Sequence, residues 1–390
     1  MGAAPSATQA DTGREQSPGA GVSFIRGSGE GRYVFEVQSG IALGGAQDIG
    51  PIDVKAYDYM RSLLLFVQAT GGGGTAAVFS SDAPFNALSY VRVKQPNGQT
   101  MYSVSNGHHA AMISKYDLIR PTPFADPRAN VSPITAANFA TATSGNFSFV
   151  IRIPFELDLR DALGALPNKD AAAPFTLEIG VNSTSTIFTT NPTTVPTLKI
   201  TPVLEAYDQP PESLDGKAVA TTPPNMNTLQ RWTEQSITMV SGAFDARVRK
   251  LGNYVRELIF ITKNSSSVRQ TAANGWSDPM QIVLDEDVKD NVPLWLWAMD
   301  VEEIWGYGGI FGGATAAGAL DTAGGPDTGV FPYQYCCDRD NPWVEDVAKY
   351  LPTIESEDYL LRGQSWGANV GKLVVLKCEV LPRGDIFGEA

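Results

Sequence analysis

Long apolar runs are missing from this chain. No stretch approaches the roughly 18 consecutive apolar residues that cross a bilayer as a helix, so no membrane-spanning helix is expected. Histidine is almost missing too: His108 and His109 are the two present, and as helix neighbours their side chains point about 100° apart and do not converge on one metal. Cysteine is limited to Cys336, Cys337 and Cys378. An odd count with two adjacent members is no disulfide framework and reads as free thiols in a protein made in the cytosol.

A basic surplus is also lacking. With 29 Lys and Arg against 42 Asp and Glu, the net charge is -13, the opposite of a surface built to neutralise phosphates, so no direct nucleic-acid binding is expected. The likeliest basic arm, residues 1–32, sets Arg14, Arg26 and Arg32 against Asp11, Glu15 and Glu30 and is neutral. Its opening, Met1-Gly2-Ala3-Ala4-Pro5-Ser6, has neither a basic start nor an apolar core, so a secretory signal is not expected.

What the chain does contain is 38 Gly, 26 Pro and 43% hydrophobic residues with only 18% charged. That composition suits short strands joined by many turns and points to an all-β fold. Halves of roughly 150 residues would each bury about two-thirds of their surface without disulfides or metal.

One stretch occurs twice. Tyr59-Met60-Arg61-Ser62-Leu63-Leu64-Leu65-Phe66-Val67 returns as Tyr254-Val255-Arg256-Glu257-Leu258-Ile259-Phe260-Ile261-Thr262, with Tyr, Arg and the apolar run in register. Each copy reads as a strand buried on both faces. Each is followed by a Ser-Asp turn and a proline, Ser81-Asp82 with Pro84 and Ser277-Asp278 with Pro279, and each half closes on an apolar strand, Leu198 to Leu204 and Leu373 to Val380. Two similar domains in tandem follow.

The expected boundaries are a flexible tail over 1–31, a first domain over 32–207, a Pro-stiffened linker over 208–231, a second domain over 232–383 and a short tail over 384–390. Within the first domain, alternation marks strands at Tyr33 to Val37, Tyr90 to Lys94, Phe147 to Ile153 and Phe175 to Val181. Pro96-Asn97-Gly98 signals a hairpin, Gly71 to Gly74 a loop, and Phe155 to Pro167 a short helical turn. Asn106 to Ile119 is a helix ended by Pro121 and Pro123. In the second domain, strands are expected at Ile237 to Val240, Glu257 to Thr262, Gln281 to Leu284 and Leu373 to Val380, and the alternation of Pro293 to Trp297 fits a core strand or a subunit interface. The nine glycines of residues 306–329 mark a long loop or an assembly contact.

No catalytic constellation emerges. Gly363-Gln364-Ser365-Trp366-Gly367 has the spacing of a nucleophile elbow, but no His follows Ser365 in the chain. Asp285, Glu286 and Asp287, or Glu302 and Glu303, have the chemistry of a glycosidase pair but read as solvated turns. Trp295, Trp297 and Trp305 fit a core strand or subunit interface better than a sugar platform. The Gly-rich segments Gly27 to Gly31 and Gly308 to Gly313 lack the Lys-Ser/Thr of a phosphate loop. No catalytic residue, cofactor or metal site is expected.

The segment Phe147 to Val181, with Ile153-Pro154, then Asp161-Ala162-Leu163-Gly164-Ala165-Leu166-Pro167, resembles a strand-loop-strand of the double jelly-roll major capsid proteins of tectivirus-like, membrane-containing bacteriophages. Gly329-Val330-Phe331 through Tyr335-Cys336-Cys337-Asp338-Arg339-Asp340-Asn341-Pro342 resembles the corresponding part of their second roll. The sequence departs from that pattern at Pro332 and in a helix-like segment from Trp343 to Leu351. The resemblance implies two tandem eight-stranded jelly rolls, β-sandwiches with short helices in their loops. It further implies a homotrimer of pseudo-hexagonal outline that tiles an icosahedral shell with neighbouring capsomers, penton and minor capsid proteins. The place would be the virion, assembled in the host cytoplasm over an inner membrane that the N-terminal tail could face. Two other readings stay open: a carbohydrate- or receptor-binding β-sandwich of a phage particle, and a glycoside hydrolase on a β scaffold.

Overall fold

A computed structural model describes residues 21–117, 135–137, 145–224, 226, 228–249, 252–270, 276–305, 329–337, 345–354, 356–366 and 371–381. The Gly-rich stretch up to 328, the motif from Asp338 to Pro342, the helix end at Ile119 to Pro123 and the C-terminal tail lie outside these residues.

The two copies of the repeated stretch are the central strands of two sandwiches. Tyr59–Gly72 lies between Thr197–Tyr207 and Gly145–Pro154, both antiparallel to it. Glu30–Val34 and Gln38–Ala42 pair with Thr197–Tyr207, Thr135–Ala137 extends the far side, and Leu166–Pro167 pairs with the start of the central strand. The facing sheet of this first roll runs Gln47–Asp53, Thr176–Val181, Leu88–Lys94, Thr100–Val104. Its hairpin turns at Gly98, whose φ of 80° is the left-handed geometry that the Asn-Gly dipeptide anticipates.

The second roll repeats the plan. Tyr254–Lys263 lies between Val330–Gln334 and Lys372–Leu381, with Leu229–Thr238 beyond. The opposing sheet runs Gly242–Arg247, Tyr359–Trp366, Met280–Leu284, Asp287–Val292. This roll is built on two four-stranded sheets. The first has four strands on one side and additional edge strands on the other.

The repeated strands differ in burial, and the difference has a cause. In the first copy Leu63, Leu65, Val67 and Ala69 are fully buried while Leu64, Phe66 and Gln68 are half-buried. The second copy is buried at every position from Val255 to Lys263, because the first roll covers its outward side. One apolar cluster runs through both rolls, from Phe35 to Val380.

Several expectations are corrected. The N-terminal tail does not reach residue 31. Phe24–Gly27 forms a helical turn, and Phe24, 2% exposed, is clasped edge-on by Tyr59 and Tyr207 at 5.1 and 5.7 Å between ring centres. One aromatic ring thus overrides a Gly- and Ser-rich composition. The linker 208–231 is structured as well: it holds a small hairpin, Ser213–Leu214 with Lys217–Ala218, and ends in the strand that starts at Leu229 rather than Ile237. Val219 bridges back to Val22, so the chain start and the domain connection lie together.

Pro293 to Trp297 opens a helix, Leu294–Trp305, not a strand. Its apolar pattern admits both periods, and packing decides: Trp297, Val301 and Ile304 are buried at helical spacing while Trp295 is 68% exposed. Phe155 to Pro167 is a series of turns without a helix, and the described part of the segment from Trp343 to Leu351, residues 345–351, holds the 3-10 turn Val347–Lys349 before a two-residue strand. Gly71 and Gly72 continue the central strand instead of leaving it.

Because Leu65 and Ile259 are both fully buried in their central strands, Leu65→Asp and Ile259→Asp each place an unpaired charge in the core. Each is expected to cost about 4 kcal/mol or more and to remove the soluble folded protein. Expression followed by circular dichroism checks this, and tolerance of both substitutions would mean that these strands are not core.

Candidate functional site: the seam between the rolls

The described residues of the two rolls meet along a seam that is both backbone-linked and charged. Leu229–Thr238 of the second roll lies parallel to Thr100–Val104 of the first, touching at Trp232 and Tyr102, and so joins two four-stranded sheets into one nine-stranded sheet that includes Leu351–Pro352. Beside this contact lies the helix Gly107–Tyr116, buried along its whole length. Asn106 caps it by accepting from the His108 amide at 2.9 Å.

At the start of the helix, Asp82 of the first roll accepts from two cations of the second, Lys263 Nζ at 2.9 Å and Arg269 Nε at 2.6 Å. Burial works against the Asp82 charge, and Lys263 and Arg269 outweigh it, holding the carboxyl far below its ordinary range. His108 adds no charge there, since burial and the nearby Arg269 keep its imidazole neutral.

Midway, Glu234 of the second roll faces His109 Nδ1 at 3.0 Å and accepts from Ser105 N at 2.8 Å and Ser105 Oγ at 2.5 Å. Burial raises the Glu234 pKa, but His109 and the Ser105 donors prevail and bring it to about 2.

At the helix end, Arg256 is fully buried and forks onto Glu345, with Nε and Nη2 at 2.8 and 3.0 Å from its two oxygens. Asp117, the C-cap of the helix, stands 3.4 Å from Arg256 Nη2, and Arg160 of the first roll donates to the Glu345 carbonyl at 3.0 Å. Three carboxylates around one guanidinium are resolved by Glu257. Its burial pushes the carboxyl well above the usual range, and its Oε1 has no partner, which fits a neutral acid.

The arrangement joins the two sandwiches at three points along the helix Gly107–Tyr116. The residues weighed for catalysis are not brought together. Asp285, Glu286 and Asp287 form the exposed hairpin turn after Met280–Leu284, where Asp285 accepts from the Glu357 and Asp358 amides. Glu302 and Glu303 follow each other on the helix Leu294–Trp305, and Trp297 is tied into the core by its indole donating to the Pro332 carbonyl at 2.8 Å. Ser365 lies within the strand Tyr359–Trp366, not at a strand-to-helix elbow. Among the described residues no group of three His, Cys, Asp or Glu could hold a metal ion.

The seam charges went unnoticed in the sequence. A signal existed: Arg256-Glu257 and Lys263 interrupt a run otherwise read as buried, and a buried charge requires a partner.

Comparison with solved structures agrees with this architecture. The chain superposes on the major capsid protein of Sulfolobus turreted icosahedral virus with a TM-score of 0.60 at 11% identity, covering 93% of this chain and 100% of that one. For the capsid of PBCV-1 virus the values are 0.54, 8%, 90% and 93%. For the major capsid protein P2 from bacteriophage PM2 they are 0.50, 10%, 91% and 98%. No family model and no curated relative matches the chain.

Removing Asp82 leaves Lys263 and Arg269 buried without a counter-charge, so Asp82→Ala is expected to cost about 3–5 kcal/mol in chemical denaturation. The exposed pair Asp245 and Arg362 serves as control, and Asp245→Ala should leave the midpoint nearly unchanged. Glu234 supplies a pH test. Its pKa is depressed in the folded state, so its contribution is complete above its ordinary value of 4.5 and is lost as pH falls toward about 2. Wild type should therefore lose about 3 kcal/mol more than Glu234→Gln across that window, read from unfolding curves at each pH.

At these identities the likeness is one of fold, and the fold is the double jelly roll shared by viral major capsid proteins.

Proposed function

We propose that this chain is a viral major capsid protein, a structural subunit without enzymatic activity. The observation that carries the reading is the end-to-end match of both rolls to the whole length of a capsid subunit, 100% of that chain. The seam supports it, because a shell subunit must resist shear between its domains and a nine-stranded sheet with three buried charge clusters does so.

Two similar rolls per chain make a threefold assembly nearly sixfold in outline, so three copies would form a pseudo-hexagonal capsomer able to tile with six neighbours. Such a trimer would be obligate, with interfaces of at least about 2,000 Å². In the virion it would meet neighbouring capsomers, penton and minor capsid proteins, and residues ahead of Gly21 would be the part available to an inner membrane. The path from synthesis to particle would run through the host cytoplasm.

Size-exclusion chromatography with light scattering is expected to return about three times the chain mass of 41.7 kDa, and electron microscopy of the same peak should show hexagonal outlines. A stable monomer at micromolar concentration would overturn the capsomer reading.

A further inference from the structure

Arginine in the described chain is usually neutralised: Arg61 by Glu156, Arg152 by Glu205, Arg256 by Glu345, Arg269 by Asp82, Arg362 by Asp245. A cleft beside the seam breaks this pattern. Arg92 from Leu88–Lys94, Arg231 from Leu229–Thr238 and Arg249, just past Gly242–Arg247, line one cleft of about 380 Å³ together with Ser103. A second recess of about 180 Å³ shares Arg231 and Arg249 and continues it toward Lys377.

Among the described residues, none of the three guanidiniums has a carboxylate partner. Arg231 Nε is buried with no hydrogen-bond acceptor at all, and Arg92 lies over the Tyr90 ring at 4.6 Å. The other charges in the cleft are committed. Lys377 is 2.7 Å from Glu379, and Glu234 is held by His109 and Ser105.

Three guanidiniums against the single carboxylate of Glu234 leave a surplus of two positive charges in a chain whose net charge is -13. That surplus matches a doubly charged oxyanion, and a guanidinium fork fits tetrahedral oxyanions by paired N–H donors. A buried donor without an acceptor, three cations from separate elements of both rolls and the local charge count agree. We propose that this cleft binds phosphate, either as the free dianion or as the phosphomonoester headgroup of a lipid.

The test uses the full chain. Isothermal titration with inorganic phosphate should show saturable binding if the free ion is the ligand. Flotation with phosphatidylcholine vesicles containing phosphatidic acid should show capture, absent with phosphatidylcholine alone, if the headgroup is. In whichever arm is positive, Arg231→Gln and Arg249→Gln are each expected to weaken binding by at least about tenfold, and Arg362→Gln, outside the cleft, should leave it unchanged. Arg249 is exposed, so its variant reports on binding without a burden on folding, and circular dichroism verifies this. No binding in either arm, binding that survives both cleft substitutions, or equal loss in Arg362→Gln would overturn the proposal. None of these outcomes bears on whether the chain forms trimers.

Discussion

Two cations of one roll closing on one carboxylate of the other, Lys263 and Arg269 on Asp82, are the constraint around which the molecule is arranged. Buried ion pairs add little net stability, since the cost of removing both charges from water offsets most of the attraction. Their effect is selective. Any other relative placement of the rolls would strand three charges out of water, so the clusters at Asp82, Glu234 and Arg256 exclude alternatives that apolar contact alone would permit. Hydrophobic burial holds the rolls together, and the charges decide how.

This constraint explains why two copies of one strand pattern behave differently. Tyr59–Gly72 keeps a half-buried side, whereas Tyr254–Lys263 is enclosed on both. The enclosed copy therefore carries the ionic residues Arg256, Glu257 and Lys263, each answered or neutralised within the seam. Elsewhere the molecule limits open sheet edges. Asp287–Val292, at the rim of the second roll, is exposed over Asp287, Val288 and Lys289 and carries charge there, and Gln47–Asp53 at the opposite rim contains Pro51, both features that discourage strand addition.

Much of the fold was legible in the sequence because it rests on local periodicity. The repeated apolar run, the Asn97-Gly98 hairpin and the Asn106-capped helix are signals a few residues long, and the structure has each of them. What was misread depended on distant partners. Leu294–Trp305 took helical form because Trp297 and Val301 had a core to enter, and Gly21 to Gly31 took structure because Phe24 found Tyr59 and Tyr207. The seam was the least legible part. Its members come from opposite halves of the chain, Asp82 with Lys263 and Glu234 with His109, and separation of that kind leaves no local trace except charge inside an apolar run.

The joined nine-stranded sheet also bears on how such a chain can diversify. Tandem domains invite recombination at their connector, yet here a crossover near residues 208–231 would separate Asp82, Ser105 and Asp117 from Lys263, Glu234 and Arg256. A chimaera that inherited one side of those contacts would carry orphaned charges at the join. Descent of the two rolls as a linked pair, with drift in sequence elsewhere, is the history this geometry favours.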